Sequence, residues 1–322
     1  MNNMKKGVDK LVLWLPFICG LISVLIDMLI PAAQAQSNID FNYYLFISVI
    51  VTVFALILAL YSVFNKNAAS IYKDKAPFFA GVIILISVIN IITGKFALLP
   101  VIYFPSNSRI IGAIVEDRVL ILKCLLYSAR LLFIGFLGGT LAGIVTGVGI
   151  GFNEKISYWL SPVIRFLGPI PSTAWIPLVL ICFPSTVSAS CFLIGLSVWF
   201  PVNVMTSSGI RNITNSMFEV SSTLGANVVY KVFKVGIPAA MPSIFLGIFN
   251  GSSSAFVTLM TAEMVGAKYG IGWYVNWEKE MMSYANVYGG LIVIATVFSL
   301  LVTLLFKVRD RALVWQKGMI KW

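Results

Sequence analysis

Hydrophobic and polar positions along this chain occur in blocks, with long apolar runs separated by short polar stretches. The runs reach about 20 residues, which is the length of an α-helix that crosses the hydrocarbon core of a bilayer. There are eight such runs, at residues 11–32, 42–64, 77–99, 121–150, 159–182, 187–208, 239–265 and 285–306. The pattern predicts an all-α integral membrane protein with about eight transmembrane helices.

Basic residues are concentrated in the segments that eight crossings place on one side of the membrane. They are Lys5, Lys6, Lys10, Lys66, Lys73, Lys75, Arg211, Lys231, Lys234, Lys307, Arg309, Arg311, Lys317 and Lys321. The opposite segment at 33–41 contains no Lys or Arg. Because short cytoplasmic loops carry an excess of Lys and Arg, both termini and the loop after the sixth run are predicted to be cytoplasmic.

The composition supports a membrane protein and excludes several kinds of chemistry. Hydrophobic residues make up 59% of the chain and charged residues 11%, far from the balance of a soluble domain. We attribute the net charge of +11 to loops that meet anionic lipid, and predict no nucleic-acid partner. The chain has no His, and its four Cys form no CxxC pair. Neither a metal site nor a Ser-His-Asp triad is therefore predicted.

The first apolar run also resembles a secretory signal, because Lys5 and Lys6 precede it and Ala33-Gln-Ala35 follows it. Its length of about 20 residues exceeds the usual apolar region of such a signal. We therefore favour an uncleaved helix.

A glycine stripe marks the fourth run. It consists of Gly135, Gly139, Gly143, Gly147 and Gly151, each four residues from the last. This spacing puts the glycines on one helix face, where a second helix backbone can approach closely. A phosphate-binding loop is not indicated, because no Lys-Ser/Thr follows.

Two charged residues lie inside predicted spans, Arg130 in the fourth and Glu263 in the seventh. Charges at that depth face protein or water rather than lipid. Two interpretations stay open, a structural ion pair between them or a lining of the solute path. Asp27 and Lys123 lie near span ends, where they are expected to reach the membrane surface and to have no function.

Prolines interrupt the fifth run at Pro169, Pro171 and Pro177, around Trp175. Proline removes backbone donors and kinks helices, and interrupted spans are typical of transport paths. A packing kink is the alternative. The candidate translocation-path residues are Arg130, Pro169, Pro171, Trp175, Pro177 and Glu263. A Trp-rich segment at 267–285 is predicted to lie at the outer membrane interface.

The loop at 211–238 contains polar and apolar residues that follow one another in a fixed order. Met217, Val220 and Leu224 fall at helical spacing, Gly225 permits a turn, and a second apolar face follows. The pattern predicts two short helices at a bend that dock on a cytoplasmic partner; a loop lying on lipid headgroups is the alternative. The candidate coupling residues are Glu219, Val220, Ser221, Leu224, Gly225, Ala226, Val232, Phe233 and Pro238.

This order resembles the cytoplasmic EAA loop of ABC-transporter permeases, with Glu219 as the acid, Gly225 as the glycine and Val235-x-Ile237-Pro238 as the ending. Val220 and Ser221 replace the two alanines. The stretch Gly168-Pro-Ile-Pro-Ser-Thr-Ala-Trp-Ile-Pro-Leu178 is similar to the nitrate/sulfonate/taurine branch. So are Ala262-Glu-Met-Val-Gly-Ala, the following Gly270-Ile-Gly-Trp, and Phe104-Pro-Ser. The resemblance covers about residues 77–316.

The resemblance implies a six-helix type I ABC importer permease core, at 71–322, with an N-terminal two-helix addition at 1–70. It implies a non-catalytic subunit of a bacterial inner membrane, without a cofactor of its own. The expected partners are a second permease subunit, two cytoplasmic ATPase subunits that bind ATP, and an external solute-binding protein.

The resemblance implies a small anion as cargo, such as a sulfonate, taurine, nitrate or bicarbonate. A pyrimidine- or riboflavin-like cargo stays open, as does a secondary transporter that works without an ATPase. A third alternative is a membrane scaffold that recruits an ATPase without moving solute.

Overall fold

The computed structural model describes residues 2–33 and 41–315, with side chains described from residue 12 onward except at 66–68. The cleavage-like segment after Ala33, Lys317 and Lys321 lie outside these ranges. The described chain is helical, as predicted. The helices are α1 (Asn2–Leu29), α2 (Tyr43–Phe64), α3 (Lys66–Asn90), α4 (Asn107–Glu116), α5 (Arg118–Phe152), α6 (Glu154–Leu167), α7 (Ile176–Cys182), α8 (Thr186–Arg211), α9 (Asn215–Thr223), α10 (Val228–Tyr230), α11 (Ile237–Gly266), α12 (Ile271–Glu280) and α13 (Tyr284–Ala312).

The long helices confirm the predicted spans. Seven helices of the described chain are long and apolar enough to cross a membrane, at Val12–Leu29, Tyr43–Phe64, Ala69–Lys95, Arg118–Phe152, Thr186–Arg211, Val228–Gly266 and Tyr284–Ala312. The remaining predicted span is the bent pair of Glu154–Leu167 and Ser172–Cys182, which meet at 86°. The prolines therefore break the fifth span, as the sequence indicated.

The chain forms two compact units. The first consists of the described residues up to Arg118 together with Glu278–Gly289, and the second of Val119–Trp277 and the described residues from Gly290 onward. The first unit groups α3 with α1 and α2. The boundary at residue 70, drawn from the family resemblance, stays a prediction.

In the second unit, the glycine stripe of α5 packs against α8. A Cβ added at Gly139 would lie 2.3 Å from the carbonyl oxygen of Gly195, and one at Gly147 would lie 2.6 Å from Cβ of Thr206. By contrast, a Cβ added at Gly138, on another face of α5, meets nothing within 4 Å. The stripe is therefore a site of close helix approach, as predicted. Around it α5, α8 and α11 share a core, formed by Leu131, Ile194, Val198, Val202, Ala255 and Leu259.

In the first unit, a buried polar cluster joins α1 to α3. The Lys95 ammonium lies 2.9 Å from a carboxylate oxygen of Asp27, and their side chains are 6% and 3% exposed. The Lys95 ammonium also donates to the Asp27 carbonyl at 2.7 Å. The amides of Asn42 and Asn90 donate to the same carboxylate at 2.7 and 2.9 Å.

The expectation that Asp27 reaches the membrane surface without a role is therefore wrong. Its carboxylate is buried because three donors satisfy it, which offsets the cost of removing the charge from water. Helix α1 and the π-helical turn Ile91–Lys95, which continues α3, bring residues 27 and 95 together. Their opposite charges near the ends of the first and third spans were the signal that could have predicted this pair.

Candidate functional site

The 211–238 loop contains two helical segments at a bend, as predicted. Helix α9 ends at Thr223, and Gly225 then adopts φ +80°. The Ala226 N–H donates to the Ser221 carbonyl at 3.0 Å, and the Gly225 N–H donates to the Ser222 carbonyl at 2.9 Å. This is a Schellman motif, which needs a left-handed residue just past the helix end. Glycine adopts that conformation without steric cost, which explains its place in the motif.

The second segment runs directly into α11. The Asn227 side chain accepts from the Tyr230 N–H at 2.8 Å and begins α10. A π-helical turn, Lys231–Gly236, then joins α10 to α11 without a gap. Pro238 lies in the first turn of α11, as predicted. The sequence pattern did not predict that the second segment is the start of the membrane helix itself.

An aromatic contact anchors the loop to the end of α5. The rings of Phe152 and Phe218 meet edge to face with centroids 5.6 Å apart. A Cβ added at Gly236 would lie 2.2 Å from the Phe152 ring. One aromatic side chain of α5 thus contacts both halves of the loop. The sequence did not predict this role for Phe152, because nothing distinguishes an aromatic residue at the end of an apolar run from its apolar neighbours.

The predicted coupling residues fall into exposed and buried groups. Leu224 is 82% exposed and Phe233 is 64% exposed, although both are large and apolar. Glu219 and Val220 are also exposed, whereas Ser221 is buried and its hydroxyl donates to the Phe218 carbonyl within α9. Val232, Ala226 and Pro238 are half-buried. The loop therefore presents an apolar surface that its own unit does not cover.

The broken span borders a cavity of about 420 Å³ in the second unit. Pro171 begins a 3-10 turn, Ser172–Trp175, and Pro177 lies in the first turn of α7. The cavity lining is uncharged and combines aromatic with hydroxyl side chains. It includes Pro171, Ser172, Thr173, Trp175, Ser197, Trp199, Phe200, Ser254 and Thr258.

Two contacts hold the break in place. The hydroxyls of Ser172 and Thr258 are 2.6 Å apart, which ties the 3-10 turn to α11. A Cβ added at Gly168 would lie 2.1 Å from the Phe200 ring, so only glycine fits beside α8 there. Of the predicted path residues, Pro171 and Trp175 line the cavity, whereas Pro169, Pro177, Arg130 and Glu263 do not.

Glu263 is fully buried and holds the N-terminus of α12. One of its carboxylate oxygens accepts from the Ser128 hydroxyl at 2.6 Å, and the other accepts from the Gly272 N–H at 2.8 Å. The Ser128 hydroxyl oxygen in turn accepts from the Ile271 N–H at 2.9 Å. A carboxylate at a helix N-terminus is stabilised by the free N–H groups and by the helix dipole. Glu263 thus joins α5, α11 and α12.

The glycines around this carboxylate explain the Gly270-Ile-Gly-Trp pattern. Gly270 has φ +146°, and a Cβ there would lie 2.4 Å from the Glu263 carboxyl carbon. A Cβ at Gly272 would lie 2.5 Å from the Met260 carbonyl oxygen. Ser128 carries no pairing signal, because it is one of many hydroxyls in apolar spans.

The ion pair between Arg130 and Glu263, one of the two interpretations of their sequence, is absent. The Glu263 carboxylate is occupied by Ser128 and Gly272, while Arg130 is exposed on α5. In the described part of the chain the two side chains are not paired. Two uncharged groups, the Ser128 hydroxyl and the Gly272 N–H, donate to the carboxylate, so its burial does not require a cation.

The far end of α12 carries a second carboxyl group in an altered environment. Burial, reinforced by repulsion from Asp117, raises the pKa of Glu278 above its usual 4.5, while a hydrogen bond from Ser283 opposes the shift. These three residues belong to the first unit.

Residues 139–314 match the family described as "Binding-protein-dependent transport system inner membrane component". A Bacillus subtilis (strain 168) protein named as an aliphatic sulfonates transport permease, SsuC, is 30% identical over 61% of this chain and 70% of its own. The taurine transport system permease protein TauC of Escherichia coli (strain K12) is 28% identical over 53% of this chain and 62% of its own.

Solved structures share the fold. A chain of the MetNI methionine ABC transporter in an inward-facing conformation superposes with a TM-score of 0.52, at 17% identity. The match covers 61% of this chain and 98% of that chain. A chain of an amino acid ABC transporter gives a TM-score of 0.50 over 61% of this chain and 94% of that chain.

Proposed function

Because the chain belongs to the family of binding-protein-dependent transport system inner membrane components, and is a permease subunit of an ABC importer, we propose that its 211–238 loop docks on a cytoplasmic ATPase subunit. The observation that carries this proposal is the exposed apolar surface of the loop. Large apolar side chains on a helix surface mark a site of protein association when they face neither core nor lipid.

The geometry of the loop suits force transmission. Its first half contacts the end of α5 through Phe152 and Phe218, and its second half is continuous with α11. A displacement of the loop would therefore reach two membrane helices through packed side chains and backbone. Gly225 fixes the angle between the halves, so the surface is preorganised for a partner.

Leu224→Ser provides a sharp test of docking. Because this side chain is 82% exposed, its removal leaves the permease fold intact while removing apolar area from the proposed contact. We expect Leu224→Ser and the charge reversal Glu219→Lys to retain normal membrane levels and to lose most co-purification of the ATPase encoded beside this permease. Gly225→Glu should do the same, with added backbone strain from its positive φ.

The matched control is Glu116→Lys, the same charge reversal at an exposed position of α4. It should leave co-purification unchanged. Full retention of the ATPase by Leu224→Ser and Glu219→Lys would contradict the docking proposal. Solute uptake that continues undiminished without any ATPase would instead indicate a secondary transporter.

We further propose that the solute passes the cavity at the broken span. Its uncharged lining offers hydroxyl donors and aromatic walls, which bind a solute weakly enough to release it. The volume of about 420 Å³ is large enough for a solute that has both an anionic group and an organic substituent. Together with the names of the relatives, this favours a small organic anion of the sulfonate type, with Pro171 and Trp175 in the path.

Competition of uptake tests the cargo. With the cognate binding protein present, we expect taurine or an alkanesulfonate to be taken up and Trp175→Ala to lower the rate severalfold. Competition by a pyrimidine and none by sulfonates would favour the alternative cargo. Trp159→Ala is a suitable control, because this exposed Trp lies outside the cavity.

The remaining parts of the proposal concern assembly. The proposed importer contains a second permease subunit, two ATPase subunits and an extracytoplasmic binding protein, with both termini of this chain in the cytoplasm. The distribution of Lys and Arg supports this orientation. Residues 1–70 are proposed as an addition to the permease domain at 71–322. For Glu263 we propose a positioning role, holding α12.

A further inference from the structure

A second cavity, of about 310 Å³, lies at the base of the 211–238 loop. Its walls are the ends of α5 and α8 and both halves of the loop, including Phe152, Arg211, Phe218 and Lys231. All of these residues belong to the second unit. The volume is at the lower end of the range for small-molecule sites.

Two cations face this cavity without a countercharge. The Arg211 guanidinium donates to the Ile150 carbonyl at 3.3 Å and to the Ser157 hydroxyl at 2.7 Å, both neutral acceptors. The Lys231 ammonium has no hydrogen-bond or ion-pair partner among the described residues. Among the residues that the structure describes, no Asp or Glu lines the cavity. Two like charges that converge on one cavity are stabilised by an anion bound between them.

The position of the cavity along the spans indicates the source of such an anion. The membrane helices α5 and α8 end at Phe152 and Arg211, and both of these residues line the cavity. Both residues lie within three positions of the ends of apolar runs, at 150 and 208, so we expect the cavity to lie near the level of the lipid headgroups. Its lining combines the Phe152 and Phe218 rings with the two cations. Basic pockets at this depth suit the phosphates of anionic lipids.

We propose that the cavity between Arg211 and Lys231 binds a phosphate group, supplied by the phosphodiester of an anionic membrane lipid. The bound phosphate bridges a cation at the end of α8 and a cation in the loop, so it fastens the loop to the membrane helices. Lipid composition then affects how firmly the loop is held. The proposal is independent of the cargo and of the ATPase contact.

The matched pair Lys231→Gln and Lys234→Gln tests the site. Lys234 lies three residues away in the same π-helical turn, is exposed and does not line the cavity. Purified full-length protein is titrated with phosphatidylglycerol, with phosphatidylcholine as the neutral lipid, and bound lipid is counted by native mass spectrometry. We expect Lys231→Gln to weaken phosphatidylglycerol binding about fivefold, whereas Lys234→Gln and Lys231→Arg retain it.

A second arm identifies the source of the phosphate. Inorganic phosphate is added to lipid-depleted protein, and the rise in melting temperature is measured. A rise that depends on Lys231, without selective phosphatidylglycerol binding, would assign the site to a soluble phosphate and overturn the lipid source. Equal lipid binding by all variants would overturn the site. So would loss of ATPase co-purification by Lys231→Gln in detergent with lipid binding unchanged, because an acidic side chain of the ATPase would then occupy the cavity.

Discussion

Removal of the Glu263 side chain should release the N-terminus of α12. In Glu263→Ala, the Gly272 N–H and the Ser128 hydroxyl lose their acceptor. A buried donor left unsatisfied costs about 1–3 kcal/mol. Since a hydroxyl rotates toward other acceptors more easily than a backbone N–H, we expect a total loss of about 2–4 kcal/mol in the stability of the docked α12.

The isosteric variant Glu263→Gln should behave differently. Its amide oxygen still accepts from the Gly272 N–H, and its amide nitrogen donates to the Ser128 hydroxyl oxygen, which is also an acceptor. The shape is retained and the Gly272 N–H keeps its acceptor, so only the Ser128 hydroxyl hydrogen has to rotate toward another acceptor. We expect a loss of about 1 kcal/mol or less, equal to an increase in local opening of about fivefold at most.

Hydrogen–deuterium exchange of the peptide containing residues 270–277 measures this opening directly. A loss of about 2–4 kcal/mol corresponds to exchange about 30- to 700-fold faster in Glu263→Ala. Exchange in α8 should not change. Met264→Ala, at the neighbouring exposed position of α11, serves as the control. Exchange that is unchanged in Glu263→Ala, or equally fast in Glu263→Gln, would refute the hydrogen-bond account of this residue.

Further predictions concern stability, measured as the apparent melting temperature in detergent. Gly139→Ala should destabilise the protein by about 1–3 kcal/mol through overpacking, because its new Cβ meets the facing backbone of α8. Gly138→Ala, whose Cβ meets nothing within 4 Å, should be neutral. Equal effects of the two variants would contradict the close approach of α5 and α8 at the glycine stripe. Asp27→Ala should cost about 3–5 kcal/mol because it leaves the buried Lys95 unpaired, and adding Lys95→Met should restore much of the loss. Burial and a neighbouring carboxylate raise the pKa of Glu278, so this residue binds a proton more readily in the folded protein than in the unfolded chain. Stability should therefore fall as pH rises above about 4.5. Glu278→Gln should make stability less dependent on pH in this range.

Local chemistry explains which features the sequence could predict. Prolines around Trp175 break a helix wherever it lies, and Gly225 permits a left-handed turn after any helix, so both features follow from residue type alone. The glycine stripe is equally local, because its spacing defines a helix face. These features required no knowledge of what packs against them.

Pairings between distant segments could not be predicted in the same way. Hydrogen bonds from Ser128 and Gly272 to Glu263 join residues far apart in the chain, and apolar spans contain many hydroxyls and glycines that could have been alternatives. The opposite charges of Arg130 and Glu263 made an ion pair one of two open interpretations, and the hydrogen bonds to Glu263 exclude that pair. Backbone N–H groups at a helix N-terminus supply the same stabilisation without any sequence signature.

The contact between α5 and α8 has a consequence for motion. The partners of the five glycines on α8 also recur every four residues, giving the pairs Gly135–Ile194, Gly139–Val198, Gly143–Val202, Gly147–Thr206 and Gly151–Ile210. If α8 moved by four residues, about 6 Å along its axis, four of the five glycines would again face a residue of this same set on α8. The stripe alone does not fix the register of the two helices. The register is set by contacts that do not repeat, such as the hydrogen bond from the Trp199 indole on α8 to Thr146 on α5.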